Sequence, residues 1–403
     1  MMRYLYIFLL IGLFFTSCED DKVIVPEEEK DTQDVTYLLY MVGQNNLSSF
    51  LTENINDLKK GLEKTDINAK ILVYADISNK PELYLIAKDK TGTVTKETVK
   101  TYSDRYSVDP ENMREVINYV FTTYPAGRRA ITFSSHADGS LFTPDTVYKR
   151  SFGYEGAAGY GMNITDIRET LEGCPKMDLI MFDACMMASV ETAYELKGCT
   201  RYFFAAPNSV PGEGFPYDKV LPDILRMNAE GLSQAAQGYY NYFHRNSIKW
   251  DDFVSISLTD VTKLDSLAIY MDSLFQDEDV RERAAKVNRN RLQMFEQGYA
   301  LYDYGHWADS VGKGCKYLPK VKEHLDNAVI YKVHSDYAST DDYGYNMLIP
   351  VKDETFCGLN TYVPPYGNNQ AEKPMRKFFT RLKWYREAGF FRVPYYNTYA
   401  SKE

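Results

Sequence analysis

The sequence predicts an α/β fold built on a mainly parallel sheet. Through the first two-thirds of the chain, short apolar runs alternate with amphipathic stretches long enough for helices, the pattern of βαβ units. Two of the runs end in reactive side chains, His136 and Cys185. The carboxyl edge of such a sheet is where open α/β folds place their sites.

In order, residues 36–42 (TYLLYMV) read as a buried strand, 43–46 as a turn, and 47–62 as a helix with Leu51, Ile55 and Leu58 on one face. Strands follow at 70–77 and 82–88, with Asn79-Lys80-Pro81 as the turn between them. Asp109 is placed to cap a helix that opens on Pro110 and runs to about 123. The strand at 130–134 ends at Ser135-His136-Ala137-Asp138-Gly139, and a helix occupies 163–172. The run 179–182 is too short for a typical helix and reads as a buried strand ending at Asp183, Ala184 and Cys185. Beyond it Met186, Met187, Val190, Ala193 and Tyr194 recur at helical spacing, so a helix is expected to start at the cysteine. Its dipole and free amides would then lower the thiol's pKa. The plainer alternative is a small buried residue, since free cysteine is among the most buried types. A strand at 202–206 runs into a Pro- and Gly-rich loop at 207–217. Helices fill about 219–245, and 253–258 is a further strand.

At 403 residues the chain exceeds one small core. The domain edge is expected near Asp260, giving a site-bearing domain at 35–260 and a smaller α+β domain at 261–403. The latter shows helical patterns at about 261–276 and 279–298, a strand at 345–350 and a helix near 371–387, but no catalytic pattern.

The amino terminus has a different character. Arg3 precedes an apolar segment, residues 4–15, long enough for a signal peptide and short for a membrane span. Phe15-Thr16-Ser17-Cys18 resembles a bacterial lipobox, which implies a signal peptide at 1–17, cleavage before Cys18 and a lipid on its sulfur. Between residues 19 and 34 lie eight carboxylates against Lys22 and Lys30, a net charge of −6. Such a run reads as a solvated tether. After a lipidated cysteine it resembles the surface-export signal of Bacteroidetes lipoproteins, implying an anchor in the outer membrane with the body facing outward. The net charge of −10 disfavours a nucleic-acid partner. The five histidines form no HxxxH pair and no CxxC occurs, so a structural zinc site is not expected. With Cys18 lipidated, cysteines 174, 185, 199, 315 and 357 remain, an odd number that leaves at least one thiol free.

Cys185 follows His136 by 49 residues. One crossover helix between their strands would bring both to one edge, where imidazole could protonate a leaving amine while the thiolate attacks a carbonyl. Alone, His136 reads equally as a satisfied loop histidine. FDACMMASVETAYEL resembles the nucleophile block of the clostripain family, cysteine peptidases of the caspase-like clan. The resemblance extends to TYLLYMVGQNNL, to the histidine strand and to FFAAPNSVPGEGFPY, and more weakly to DYGHWADSV and YGYNMLIP. It covers most of residues 35–350.

The resemblance implies a caspase-like α/β/α sandwich and an endopeptidase that cleaves after Arg or Lys. Cys185 would be the nucleophile and His136 its partner, with the backbone amides of Cys185 and Ala137 holding the oxyanion. Asp183 would floor the specificity pocket, with Glu213 as a second carboxylate facing the guanidinium fork. Asp183 reads alternatively as a helix N-cap, and Glu213 as a solvated loop residue. Some relatives cut themselves in the loop after the histidine. Here that loop carries Lys149-Arg150, the expected autocleavage step. Calcium dependence is a family trait, but no EF-hand loop is present. Two departures stand out: Ala137 replaces the usual glycine, and Gln44 the usual aspartate. They leave open a degenerate member serving as a surface binding or scaffold protein.

Overall fold

The computed structural model describes residues 33–78, 80–140, 151–156, 159–244, 253–296, 298, 300–342, 345–365 and 373–397. Cys18, most of the acidic tether and the Lys149-Arg150 step lie outside these residues.

The first strands in chain order are β1 (Gln33–Val42), β2 (Ala69–Asp76), β3 (Glu82–Lys88), β4 (Val94–Thr101), β5 (Ala126–Ser134), β6 (Phe152–Glu155), β7 (Tyr160–Met162) and β8 (Leu179–Asp183). They are followed by β9 (Tyr202–Ala205), β10 (Ser255–Asp260), β11 (Met294–Glu296), β12 (Leu301–Asp303), β13 (Val329–His334), β14 (Tyr337–Asp342), β15 (Tyr345–Pro350) and β16 (Asn360–Tyr362). Nine of them form one sheet in the order β13-β10-β9-β8-β5-β1-β2-β3-β4. The five central strands, β2 to β9, pair in parallel. Antiparallel strands close both edges. From β1 the chain steps one way to β2 and the other way to β5, β8 and β9, so the direction of winding switches between β1 and β5.

Alternation along β1 explains the layering. Leu38, Tyr40 and Val42 enter one core, whereas Tyr37, Leu39 and Met41 enter another on the opposite face. The first core receives the helices Pro110–Thr123, Ile164–Glu172, Val190–Leu196 and Leu264–Leu274. The second receives Ser48–Glu63, Tyr217–Ile224 and Ala229–Phe243. The result is the expected α/β/α sandwich.

The differences from expectation lie mostly beyond Asp260. Val329–His334 returns to the main sheet as β13, and residues 33–403 form one compact unit, so the expected edge near Asp260 falls inside it. The helix expected at 279–298 stops at Ala285, because KVNRNR supplies no apolar stripe to continue it. Met294–Glu296 is instead a strand of a small sheet, β11-β12-β16. The helix expected near 371–387 is two, Lys373–Phe379 and Lys383–Glu387. β4 also goes unseen in the sequence, since an edge strand with Thr95, Lys96 and Glu97 exposed carries no apolar pattern.

Candidate active site

The pairing of β5 with β8 places the two reactive side chains. Ser134 lies opposite Asp183 in a parallel register. His136 and Cys185 each sit two residues beyond that pair, just past the ends of adjacent strands at one carboxyl edge. Neighbouring strands are separated by about 4.8 Å. Both side chains are partly exposed.

Cys185 does not open a helix. Residues 184–189 form a loop, and the helix begins only at Val190, where the Ser189 hydroxyl caps the Thr192 amide at 2.9 Å. The stripe at Met186 and Met187 is buried, as its spacing required, but by packing of an irregular segment. Met186 adopts the left-handed conformation at φ 61°, which a side chain disfavours. Two asparagines hold it. Its amide donates to the Asn208 carbonyl at 2.8 Å, and its carbonyl accepts from Asn360 Nδ2 at 3.2 Å. Asn360 Nδ2 also donates to the Pro207 carbonyl at 2.8 Å, and the Asn360 amide to the Ala188 carbonyl at 2.8 Å.

The expected lowering of the thiol's pKa therefore does not occur. Burial pushes the Cys185 thiol up to about 11, and the carboxylates of Asp138, Asp183 and Glu296 add to the rise. A hydrogen bond from the Val210 amide to the sulfur, at 3.3 Å, opposes it. Burial also lowers His136 below its ordinary value. The resting pair is thus a neutral thiol and a neutral imidazole.

Asp183 is buried beneath the loop after β9. Its Oδ2 accepts from the Phe215 amide at 3.3 Å and the Tyr217 hydroxyl at 3.0 Å, and burial pushes its pKa up to about 6. Gly214 crosses directly over it at φ 67°, where a Cβ would lie 2.7 Å from Oδ2, so only glycine fits. Ser189, and not Asp183, is the helix cap. Glu213 is exposed, so it forms no buried carboxylate pair with Asp183. Glu296, only 4% exposed on β11, is the carboxylate that the far end of the chain brings towards the thiol.

On the other side of His136, its Nε2 lies 2.6 Å from Asn46 Oδ1, and Tyr154 meets the ring edge-on. These residues, with Asn45, Ala137, Asp138, Gly153 and Gly159, line a cavity of about 510 Å³. It opens beside the β1–β5 switch point. Ala137 is not among the positive-φ residues, so replacing the usual glycine imposes no backbone strain.

The described thiols are all free. Cys174 and Cys185 are partly exposed, while Cys199, Cys315 and Cys357 are buried. No group of three or more His, Cys, Asp or Glu side chains able to hold a metal gathers among the described residues.

The chain matches the clostripain family over residues 39–359. It belongs to that family. Clostripain of Hathewaya histolytica is 24% identical over 239 residues, which cover 51% of this chain and 45% of that protein. The chain thus matches about half the length of this curated relative. A secreted C11 cysteine protease of Bacteroides thetaiotaomicron, solved with an irreversible peptide inhibitor, is 29% identical, with a TM-score of 0.76 over 89% of this chain and 99% of that one. An inactive zymogen C11 protease of Parabacteroides distasonis is 27% identical, with a TM-score of 0.75 over the same shares.

For a clostripain-family chain, the sequence left Asn46, Asn208, Glu296 and Asn360 unmarked. Asn46 stood inside the quoted GQNNL turn, where asparagine already has a turn-forming explanation. Asn208 also fell within a quoted block, but nothing there set it apart. Glu296 and Asn360 carried no local signal, because their roles arise from contacts distant in sequence.

Proposed function

We propose that this chain is a cysteine endopeptidase that cleaves after Arg or Lys, with Cys185 as nucleophile and His136 as acid and base. The β5–β8 register, which puts Cys185 and His136 at matching positions on one rim, is the observation that carries this reading. His136 takes the thiol proton as the sulfur attacks the carbonyl carbon, and the amides of Cys185 and Ala137 receive the oxyanion. The imidazolium then gives its proton to the leaving amine as the C–N bond breaks. Water, deprotonated by the imidazole, attacks the thioester carbonyl, and as the C–S bond breaks the imidazolium returns the proton to the sulfur. Buried Asp183 supplies the negative charge for the basic side chain, a role consistent with its lying beneath Gly214 rather than against His136.

The decisive experiment compares wild type with Cys185→Ala on arginyl, lysyl and uncharged amide substrates. Wild type is expected to cleave the first two, and the variant none. Equal rates for wild type and variant overturn the reading. A second reading, a surface binding protein with a silent site, is favoured by the raised thiol pKa. Failure of an arginyl chloromethyl ketone to label Cys185 would support it.

Two further expectations belong to the same proposal. Self-cleavage at Lys149 or Arg150 predicts two bands on a denaturing gel for wild type and one for Cys185→Ala. Anchoring in the outer membrane through Cys18 predicts labelled fatty acid on the full chain and none on Cys18→Ala. No described helix is long and apolar enough to cross a membrane.

A further inference from the structure

We infer that Asn46 is a positioning residue that fixes the tautomer and orientation of His136, a role that rests on the peptidase reading. An amide oxygen has no proton, so the 2.6 Å contact between Asn46 Oδ1 and His136 Nε2 requires the proton to reside on Nε2. A neutral imidazole protonated there has its lone pair on Nδ1. Nδ1 is then the nitrogen that accepts the proton from Sγ as the C–S bond forms, and returns it to the amine as the C–N bond breaks. Nε2–H remains donated to Asn46 throughout.

The turn that carries Asn46 is built to hold it still. The Gly43 amide donates to the Asp76 carbonyl at 2.7 Å, and Gln44 Nε2 to Asp76 Oδ1 at 2.7 Å. Asn45 Nδ2 donates to the Tyr154 carbonyl at 2.8 Å, while Asn45 Oδ1 accepts from the Leu47 amide at 2.9 Å. From the other side, the Gly153 amide donates to the His136 carbonyl at 2.9 Å, and the Tyr154 ring meets the imidazole edge-on. β1 and β6 thus grip the histidine between them. Gln44, where the family commonly has aspartate, is one of these ties rather than a lost catalytic group.

A neutral acceptor suits this site. Asparagine orients the ring without adding charge, so burial keeps His136 below its ordinary pKa and the imidazole stays unprotonated at neutral pH. An aspartate would orient the ring equally but favour the imidazolium.

The test uses the full chain, its Asn46→Ala variant and its Asn46→Asp variant. Two readouts are taken: the pH profiles of kcat and KM on an arginyl amide, and the ¹⁵N shifts of the His136 ring. Asn46 is exposed, so both variants are expected to fold. Wild type should show the Nε2–H tautomer. Asn46→Ala should mix tautomers and lose about 10- to 100-fold in kcat with KM within about twofold. Asn46→Asp should keep the Nε2–H tautomer and move the His136 titration, and the acid limb of kcat, to higher pH. An unchanged tautomer and titration across all three proteins overturns the role, whatever the activities. A wild type that is inactive but shows these ring shifts upholds the contact while refuting the peptidase reading.

Discussion

Cys185 keeps its proton at rest. Only a thiolate is alkylated, and a thiol pushed up to about 11 has roughly one part in 10⁴ ionised at pH 7. Its iodoacetamide reaction is therefore expected to speed up about tenfold per pH unit from 7 to 10 and to level off near 11. A plateau near pH 8 would contradict this. Asp183 gives a second prediction. Its folded pKa of about 6 exceeds the ordinary value of 3.8, so the folded state holds this proton more tightly. The stability it contributes is full below about pH 4 and is lost as pH rises through 6, up to about 3 kcal/mol. Asp183→Asn never ionises. In urea unfolding it should match wild type at low pH and exceed it above pH 6, while losing preference for arginyl substrates. The placement of Cys185 and His136 at one sheet edge was legible because each follows an apolar run. The contact of Asn46 with His136 was not, since the two lie 90 positions apart.

At the scale of elements, the loop at 184–189 shows how burial can imitate periodicity. Met186, Met187, Val190, Ala193 and Tyr194 are all buried, as the helical stripe demanded. The first two reach the core from an irregular loop whose path is set by Asn208 and Asn360, which no local pattern announces. The true start of the helix is the Ser189 cap, so Ser189→Ala should destabilise the fold by about 1 kcal/mol and lower the melting temperature. A variant as stable as wild type would show that the cap contributes nothing. The central strands were readable because both their faces are buried and their runs are continuously apolar. β4, β11 and β13 were not. They lie at sheet edges or in a short satellite sheet, where partners rather than composition make the strand.

At the scale of the whole molecule, a set of tyrosines is fully buried in the two cores. Tyr37, Tyr40, Tyr74, Tyr217, Tyr239 and Tyr304 are among the largest fully buried side chains. Tyr40 and Tyr74 stack at 4.5 Å, and the Tyr40 hydroxyl donates to the Ser107 carbonyl at 2.7 Å. The part beyond Asp260 is bound into the same body. Buried Glu191, on the helix after the thiol's loop, accepts from the Thr361 hydroxyl at 2.7 Å and the Tyr362 amide at 3.0 Å. Asn360→Ala should therefore cost about 2–4 kcal/mol, by leaving two buried carbonyls unpaired, and should lower kcat with the loss of stability. Equal melting temperatures would refute it. The same bond spans 174 positions of chain, and that separation has a bearing on biosynthesis. A growing polypeptide emerges amino end first, so the sulfur leaves the ribosome long before the asparagine that shapes its surroundings. Until translation passes residue 360, the loop that carries Cys185 lacks the hydrogen bond that Asn360 gives it.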